Sequence, residues 1–292
     1  MRYAAIDVGS NAVRLLIADV LNNNGQITFK KNTLLRVPLR LGDDAFINQR
    51  ISDHKSDELQ KTMFSFALLM DVYQVDDYMA CATSAMREAV NGPDIVKKIR
   101  KTCNIDLQIV AGLTEANIIH ASHVERHLDA KKNYLYIDVG GGSTELSIFA
   151  SGECIASRSF DIGTIRLLDK KVKPETWDEA KNWIKVQIKN LKDLSAIGTG
   201  GNINKLYRMA KIKDGSPLSI KKLNELQAFL ASFSYEQRIN ILGLRPDRAD
   251  VILPACEIYT NLFKWAGIKK AYVPSVGMVD GIIQLLMEKN QQ

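Results

Sequence analysis

The feature that most constrains this chain is a pair of apolar runs joined by a glycine turn. In the copy near the middle of the chain, residues 134–137 are apolar, residues 138–145 read Asp-Val-Gly-Gly-Gly-Ser-Thr-Glu, and residues 146–150 are apolar again. Apolar runs rich in branched and aromatic residues predict buried strands. The whole unit therefore predicts a hairpin whose tip carries almost no side chains.

The same layout opens the chain. Residues 2–6 are followed by Asp-Val-Gly-Ser-Asn at residues 7–11 and then by a second apolar run, residues 13–20. A third loop of small residues, Gly-Thr-Gly-Gly-Asn at residues 198–202, precedes a helical pattern at residues 203–210. One such loop is a weak signal, but three with matching flanks predict a phosphate-binding α/β protein built from two related halves.

The glycines of the central tip predict an anion site. A glycine turn adopts positive φ easily and lets a bulky anion approach the backbone N–H groups. Two hydroxyl side chains follow the glycines and add donors. The predicted phosphate-binding residues of this tip are Gly140, Gly141, Gly142, Ser143 and Thr144.

Carboxylates bracket the same tip. Asp138 and Glu145 only accept hydrogen bonds when ionised, so they cannot hold phosphate themselves. We expect them, with Asp7 of the first copy, to bind a hard cation that bridges to the phosphate. The plain alternative is a tight turn with solvated acids, and the repetition of the pattern argues against it.

These residues resemble the actin-like ATPase and sugar-kinase superfamily and, within it, the exopolyphosphatase and guanosine pentaphosphate phosphohydrolase family. The resemblance covers essentially the whole chain, in the family's order. It is carried by residues 7–11, 83–89, 112–116, 137–146 and 248–254. It implies an α/β fold of two ribonuclease-H-like domains with the ligand in an interdomain cleft, and Mg²⁺, or Mn²⁺ as an alternative, as the cation.

The resemblance also implies roles for further residues. Glu115 follows a strand and a glycine, and it matches the family's catalytic glutamate; without the resemblance, an acid favoured by the helix dipole would be the simpler interpretation. Arg87, placed in a short loop, is expected to clamp phosphate oxygens rather than to form a surface salt bridge with Glu88. Four residues of the other two loops are expected to bind phosphate: Ser10, Asn11, Gly200 and Gly201.

Several positions depart from the family pattern. Thr114 stands where the family often has a second acid, and we expect it to cap its helix instead. Val279 or Asp280 stands where many members carry an arginine. The chain also lacks the extra helical domains of longer relatives, which puts processive action on long chains in question.

Three histidines form a separate pattern on one predicted helix. His120, His123 and His127 share a face at this spacing, which is compatible with a zinc site or a pH sensor. The family motif does not include them. A half-exposed polar face is the simpler interpretation.

Composition limits the classes of function. The 292 residues carry a net charge of +6 and a pI near 9.0, which favours a polyanionic partner. Nucleic acid ranks below phosphate compounds because no basic tract contains interleaved aromatic residues. No apolar run approaches ~18 residues, so we expect no membrane partner. The four cysteines are scattered and there is no signal-peptide pattern, which is typical of a cytoplasmic protein.

The expected domains are residues 1–127, to which the last helix, residues 279–292, is a candidate addition, and residues 128–278. A polar run of residues around position 129 marks the boundary. Residues 39–48 are expected to form a loop, and residues 247–265 a single helix.

Together these observations predict hydrolysis of a terminal phosphoanhydride in polyphosphate, guanosine pentaphosphate or both. Glu115 would activate water while the cation and Arg87 balance charge. A non-catalytic polyphosphate or alarmone binder and an actin-like kinase are the alternatives. Because relatives are often dimers, a homodimer is expected.

Overall fold

The structure is a computed structural model that describes residues 1–23, 26–122, 129 and 132–290. Its strands are β1 (Arg2–Val8), β2 (Val13–Asn23), β3 (Gln26–Val37), β4 (Asp77–Ala82), β5 (Leu107–Ile109), β6 (Asn133–Val139), β7 (Thr144–Ala150), β8 (Glu153–Phe160), β9 (Leu194–Thr199), β10 (Leu218–Ser219) and β11 (Lys270–Tyr272). Its helices are α1 (Leu41–Asn48), α2 (Asp53–Val72), α3 (Ser84–Glu88), α4 (Gly92–Cys103), α5 (Gly112–His120), α6 (Thr164–Leu168), α7 (Pro174–Ile188), α8 (Gly201–Ala210), α9 (Ile220–Ala231), α10 (Tyr235–Asn240), α11 (Pro246–Ala249), α12 (Ile252–Ala266) and α13 (Met278–Lys289).

The first sheet has the strand order β3-β2-β1-β4-β5. The first three strands are antiparallel, whereas β1, β4 and β5 run parallel. All but the first residue of β1 are buried, as expected for a central strand covered on both faces. The apolar run at the start of the chain therefore forms the centre of this sheet.

The second sheet repeats this plan. Its order is β10-β11-β9-β6-β7-β8, with β6, β7 and β8 antiparallel and β6, β9 and β11 parallel. Read from β8, the first five strands have the order and the directions of the first sheet, and the short β10 is added at the edge. The two copies of the sequence motif thus form equivalent hairpins, and the expected mixed α/β fold with two sheets is confirmed.

The chain divides into two compact units. The first contains Met1–His123 and Val276–Gln292, and the second contains Val124–Ser275. Helix α13 therefore belongs to the first unit. The boundary expected between residues 127 and 128 lies outside the described residues and stays a prediction.

Three local expectations were wrong. Residues 41–48 form α1 rather than a loop, because the paired acids Asp43 and Asp44 lie in a first helical turn, where the dipole favours them. Arg87 lies in the short helix α3 rather than in a loop. The single helix expected over residues 247–265 is divided into α11 and α12.

Among the described residues, no helix combines the length and the apolar composition that a membrane crossing requires.

Helix α13 packs closely against α5 in the first unit. A Cβ atom on Gly281 would lie 1.7 Å from the carbonyl oxygen of Ile118 and 2.6 Å from its carbonyl carbon. Only glycine permits this approach of the two helices. Because α5 also carries Glu115, Gly281 helps to set the position of that glutamate.

We expect Gly281→Ala to destabilise the first unit by about 3 kcal/mol, because the added methyl group meets backbone atoms that cannot rotate away. Gly277→Ala is the matched control, since a Cβ there meets nothing within 4 Å and its φ of −167° is ordinary extended backbone. Urea unfolding of both variants measures the difference. Equal midpoints for the two would show that α5 and α13 do not pack this closely.

Candidate active site

The predicted residues of the first unit lie at one edge of its sheet. Asp7 lies near the end of β1, Arg87 lies in α3 after β4, and Glu115 lies in α5 after β5. Because these three strands are parallel, their carboxyl ends share an edge, where open α/β sheets place their sites. The topology thus brings these residues to one side of the sheet.

Arg87 and Glu115 form a pair at this edge. Nη1 of Arg87 lies 3.6 Å from Oε2 of Glu115 and donates a 2.8 Å hydrogen bond to the carbonyl of Val110. The side chain of Glu115 is 14% exposed. A guanidinium has five N–H donors, so Arg87 keeps further donors for a phosphate while the Val110 carbonyl fixes its position.

Thr114 does not cap this helix as expected. Helix α5 begins at Gly112, its N-cap is Ala111, and no side chain caps it. Thr114 therefore lies in the first turn, where its side chain is exposed. The group next to the candidate base is the guanidinium of Arg87.

The first hairpin tip is tied to the same edge. Oδ2 of Asp7 lies 2.5 Å from Nη1 of Arg14, and Asp7 is 5% exposed. The hydroxyls of Ser10 and Ser84 are 2.7 Å apart and share a hydrogen bond. These contacts join the tip to the segment that carries Arg87.

Cys81 lies beneath this edge, paired with Asp7 across β1 and β4. Burial, with smaller contributions from the charges of Asp7 and Glu115, raises the pKa of its thiol to about 12. The thiol is therefore not a nucleophile at neutral pH.

Both hairpin tips are held by the same scheme of hydrogen bonds. In the first, the N–H of Gly9 bonds the carbonyl of Ala12 at 3.1 Å, and Gly42 at the start of α1 donates to the carbonyl of Ser10 at 2.9 Å. In the second, Gly140 donates to Ser143 at 2.9 Å. Each tip is thus a closed turn.

The carbonyls of the second tip are all bound by α6. Thr164 donates to Gly140 at 3.0 Å and Ile165 donates to Gly141 at 2.9 Å, while Nε of Arg166 donates to Gly142 at 2.9 Å. In a trans peptide the N–H points opposite to the preceding carbonyl. The N–H groups of residues 141, 142 and 143 therefore point away from α6, in the arrangement of an anion-binding nest.

Close packing at this tip depends on Gly163, and the tip glycines do not adopt positive φ. None of Gly140, Gly141 and Gly142 has positive φ, contrary to expectation. A Cβ on Gly163 would lie 2.2 Å from the Gly141 carbonyl oxygen. Positive φ occurs in the third loop instead, at Gly200 with 97°.

The side-chain hydroxyls of the second tip point inward. Ser143 donates to Oε1 of Glu145 at 2.7 Å, and Thr144 donates to the carbonyl of Ile162. Each hydroxyl has a single hydrogen, so neither can also donate to a phosphate in this arrangement. The anion donors of this tip are its backbone N–H groups.

The three expected cation ligands differ in their surroundings. Glu145 is 4% exposed, and its Oε1 accepts hydrogen bonds from Ser143 and, at 2.9 Å, from Ser159. One oxygen of Asp7 pairs with Arg14. Asp138 is half-buried at the end of β6, opposite Glu145 in register.

Of these residues, Asp138 fits a Mg²⁺ ligand best. Mg²⁺ at phosphate sites takes one or two carboxylates and completes its shell with water and phosphate oxygens. The contacts of Glu145 instead suit a residue that braces the tip. In the described part of the chain, no three His, Cys, Asp or Glu side chains form a metal-binding group.

The third loop brings in a residue that sequence reasoning missed. A Cβ on Gly200 would lie 2.8 Å from Oδ1 of Asp138, so this loop touches the carboxylate directly. The guanidinium of Arg248 lies against Gly201, 2.8 Å from where a Cβ would be, and donates to Oδ1 of Asn202. Arg248 is the first residue of the motif at residues 248–254. Its place in that motif was the one sequence feature that could have identified it.

Positive charge gathers beside this loop. Burial, followed by the charges of Arg208 and Arg248, lowers the pKa of Lys205. Neither Lys205 nor Arg208 forms an ion pair within the described residues. This side of α8 therefore presents cations to an anionic ligand.

The structure also describes the surroundings of Asp280 and the position of His120. Asp280 is 4% exposed, accepts a 3.0 Å hydrogen bond from the N–H of Gly277, and lies 2.6 Å from Nζ of Lys31. It therefore caps α13 and forms an ion pair inside the first unit. His120 lies in the last turn of α5, whereas His123 and His127 lie outside the described residues.

Paired glycine-tipped hairpins on two sheets of the same order define a phosphate-binding α/β protein. The model of the Ppx/GppA phosphatase family matches residues 24–290. The chain therefore belongs to the Ppx/GppA phosphatase family.

Two relatives and two solved structures agree with this assignment. The chain is 29% identical over 291 residues to a bifunctional 3-dehydroquinate synthase/phosphatase of Fusobacterium nucleatum, covering 90% of this chain but 43% of that protein. It is 26% identical to exopolyphosphatase 1 of Mycobacterium leprae, covering 97% of this chain and 88% of that one. The fold matches an exopolyphosphatase of Cytophaga hutchinsonii with a TM-score of 0.85 at 23% identity, over 99% of this chain and 98% of that chain. It matches the Aquifex aeolicus member of the family with a TM-score of 0.77 at 21% identity, over 100% and 99%.

We expect Gly163→Ala to lower activity about 100-fold, because its methyl group would push the tip carbonyls off α6 and turn the N–H groups of residues 141–143 away from their ligand. Gly277→Ala is the control for a glycine outside the site, since a Cβ there meets nothing within 4 Å. Phosphate release and circular dichroism of both variants check this. Full activity in Gly163→Ala would show that the tip is not held as described.

We expect alkylation of the native protein at pH 8 to modify Cys154 and to spare Cys81, Cys103 and Cys256, because Cys154 is exposed and the other three are buried. For Cys81 the raised pKa adds to the protection, since the thiolate is the reactive form. Peptide mass spectrometry after brief iodoacetamide treatment reads this directly. Unfolding in urea before alkylation is the control, and there all four cysteines should react. Rapid modification of Cys81 in the native protein would contradict its burial beneath this edge of the sheet.

Proposed function

We propose that this chain is an exopolyphosphatase-type phosphohydrolase that releases the terminal phosphate of polyphosphate, guanosine pentaphosphate or both. The observation that carries the proposal is the nest of N–H groups at residues 141–143, whose carbonyls are all engaged by α6. Backbone N–H groups that point to one side of a turn favour an anion. Family membership and exopolyphosphatase relatives support the phosphoanhydride as the bond that is cleaved.

The distribution of charge supports a polyanionic substrate. The second unit contains 24 Lys and Arg against 17 Asp and Glu, whereas the first contains 15 against 16. The net charge of +6 thus belongs wholly to the unit with the nest and the cations near Gly201. A unit of this charge attracts long phosphate chains at a distance and holds them by contact.

In the proposed mechanism the two units have different tasks. The second unit holds the phosphates through its tip N–H groups and Arg248. The first unit supplies Glu115, which orients a water molecule and takes its proton as the oxygen attacks the terminal phosphorus. Arg87, fixed by the Val110 carbonyl, stabilises the charge that gathers on the transferred phosphoryl group.

We propose Mg²⁺, with Mn²⁺ as a substitute, as the cofactor, held chiefly by Asp138. When bound, such a cation offsets negative charge on the phosphate oxygens and orients the leaving group. Asp138 has the half-exposed carboxylate that this role needs. Glu145 would act through its hydrogen bonds to Ser143 and Ser159, which hold the shape of the tip.

The proposal includes a cytoplasmic location and a second copy of the chain as homodimer partner. Cys81, Cys103, Cys154 and Cys256 are not joined in disulfides, as is usual in a reducing compartment. Nucleic acid is not among the proposed partners.

We expect Glu115→Gln to lower kcat by about 100-fold or more while KM stays nearly unchanged, because the amide cannot accept the proton of the attacking water. Phosphate release from polyphosphate in the presence of Mg²⁺ measures both constants. Glu257→Gln, an exposed acid on α12, is the matched control and should keep wild-type rates. If Glu115→Gln retains near-normal turnover, Glu115 is not the base.

The same assay separates the alternative functions. Polyphosphates of several lengths are compared with guanosine pentaphosphate, with and without a chelator that removes divalent cations. Phosphate release without an acceptor substrate excludes a kinase. Tight polyphosphate binding without any release would instead identify a binding protein and overturn the proposed reaction.

A further inference from the structure

A buried tyrosine on α12 reaches the third loop from the core of the second unit. Tyr259 is fully buried, and its hydroxyl donates a 2.7 Å hydrogen bond to the carbonyl of Thr199. Its ring lies over Gly198, where a Cβ would be 3.5 Å from Cε1, and its centroid is 5.9 Å from that of the Phe263 ring. Because packing fixes the ring, the core sets the position of the hydroxyl.

The end of β9 depends on this hydrogen bond. Thr199 is the last residue of β9 and is completely buried, whereas the pairing of β9 with β11 ends two residues earlier, at Ile197. A buried carbonyl requires a donor. Among the residues that the structure describes, the hydroxyl of Thr199 has no partner, so its side chain adds no second anchor. Tyr259 therefore supplies a hydrogen bond at a point that β11 does not reach.

The peptide between Thr199 and Gly200 connects this hydrogen bond to Asp138. Because a trans peptide is planar, fixing the Thr199 carbonyl also fixes the plane in which Gly200 begins. Gly200 has a φ of 97°, and a Cβ on it would lie 2.8 Å from Oδ1 of Asp138. Asp138 is also the register partner of Thr199 across β6 and β9. The segment that Tyr259 holds is thus the one that touches the carboxylate.

The phenol remains a donor under all ordinary conditions. Burial, followed by the charge of Asp138, raises the pKa of Tyr259 well above its usual range. A neutral phenol carries the one hydrogen that the Thr199 carbonyl accepts. Tyr259 lies five residues beyond the motif of residues 248–254, so no sequence motif identifies it.

We propose that Tyr259 is a positioning residue that holds Gly200 against Asp138 and so keeps this carboxylate in the orientation that binds a divalent cation. Tyr259 acts through the Thr199 carbonyl and contacts neither the cation nor the phosphate. The inference rests on the proposed function, because it takes Asp138 as the cation ligand. It uses only residues of the second unit.

Binding of Mn²⁺ to the full chain without substrate measures this role directly, because the electron paramagnetic resonance signal of free Mn²⁺ falls as the ion binds. Tyr259→Phe keeps the ring and removes the hydroxyl. Its dissociation constant for Mn²⁺ should rise about tenfold, because the buried carbonyl loses its donor and the loop no longer holds Asp138. Wild-type Mn²⁺ affinity in Tyr259→Phe would overturn the proposal.

Tyr207→Phe is the matched control. The hydroxyl of Tyr207 also donates to a carbonyl of the second unit, that of Ser216 at 2.9 Å, but this carbonyl belongs to a different loop. The variant should therefore keep the wild-type affinity for Mn²⁺. Circular dichroism verifies that both variants are folded. An equal loss of affinity in the two variants would show a general effect of lost hydrogen bonds and would overturn the specific role of Tyr259.

Asp138→Asn separates this inference from the proposed cation site. It should weaken Mn²⁺ binding more than Tyr259→Phe does, and adding Tyr259→Phe to it should have no further effect, because the hydroxyl acts through Asp138. Unchanged Mn²⁺ binding in Asp138→Asn would overturn both the cation site and the role of Tyr259. Weaker binding in Asp138→Asn with unchanged binding in Tyr259→Phe would overturn the role of Tyr259 alone.

The Mg²⁺ dependence of phosphate release provides a second measurement. Tyr259→Phe should need a correspondingly higher Mg²⁺ concentration for its half-maximal rate and should reach a kcat close to that of wild type at saturating Mg²⁺. A kcat that is lowered at every Mg²⁺ concentration would indicate general loosening of the core and would overturn the proposal. A wild type that releases no phosphate would overturn the proposed reaction, while Mn²⁺ binding would still decide the role of Tyr259.

Discussion

The structure of the site depends on hydrogen bonds that bind the carbonyl groups of the hairpin tips. In the second unit α6 occupies the carbonyls of Gly140, Gly141 and Gly142, two through its backbone and one through Arg166. Because each peptide is planar and trans, the direction of these carbonyls also sets the direction of the next N–H groups. Helix α6 thus sets the direction of the N–H groups that we propose as the anion site, and it does so from the opposite side of the tip. The close approach of α6 to the tip depends on Gly163, because a Cβ there would meet the backbone of Gly141 and Gly142.

The same backbone scheme occurs in both units, but the side chains around it have diverged. In the first unit the tip carbonyls accept from the start of α1, and the surrounding groups are Asp7, Arg14 and Ser10. In the second unit the surroundings are the nest, Asp138 and the cations near α8. The duplicated backbone gives two tips that are compatible with phosphate. The side chains of the two units differ: the first unit carries the proposed base, and the second carries most of the positive charge.

The sequence was sufficient to predict what depends on local pattern. Apolar periodicity and nearby glycine turns predict the two hairpins, helix α8 and the position of Glu115 after a strand. The contacts that hold the site together involve residues far apart in the chain, such as Gly163 with Gly141 or Gly281 with Ile118. No local signal reports them. The hydroxyl of Thr144 shows the same limit, since its acceptor, the Ile162 carbonyl, lies in the chain after β8.

The replacement of a family acid by Thr114 changes the charged surroundings of Glu115, the proposed base. A second carboxylate beside Glu115 would repel its negative charge and would have to share protons with it. In this chain Thr114 is exposed, and the nearby charged group is Arg87, 3.6 Å from Glu115. A cation at this position favours negative charge on the carboxylate and also on the phosphoryl oxygens that gain charge during transfer. Arg87 can serve both purposes because its guanidinium is fixed by the Val110 carbonyl, so it need not move between the base and the phosphate. The absence of the second acid is therefore compatible with a single-base hydrolytic site.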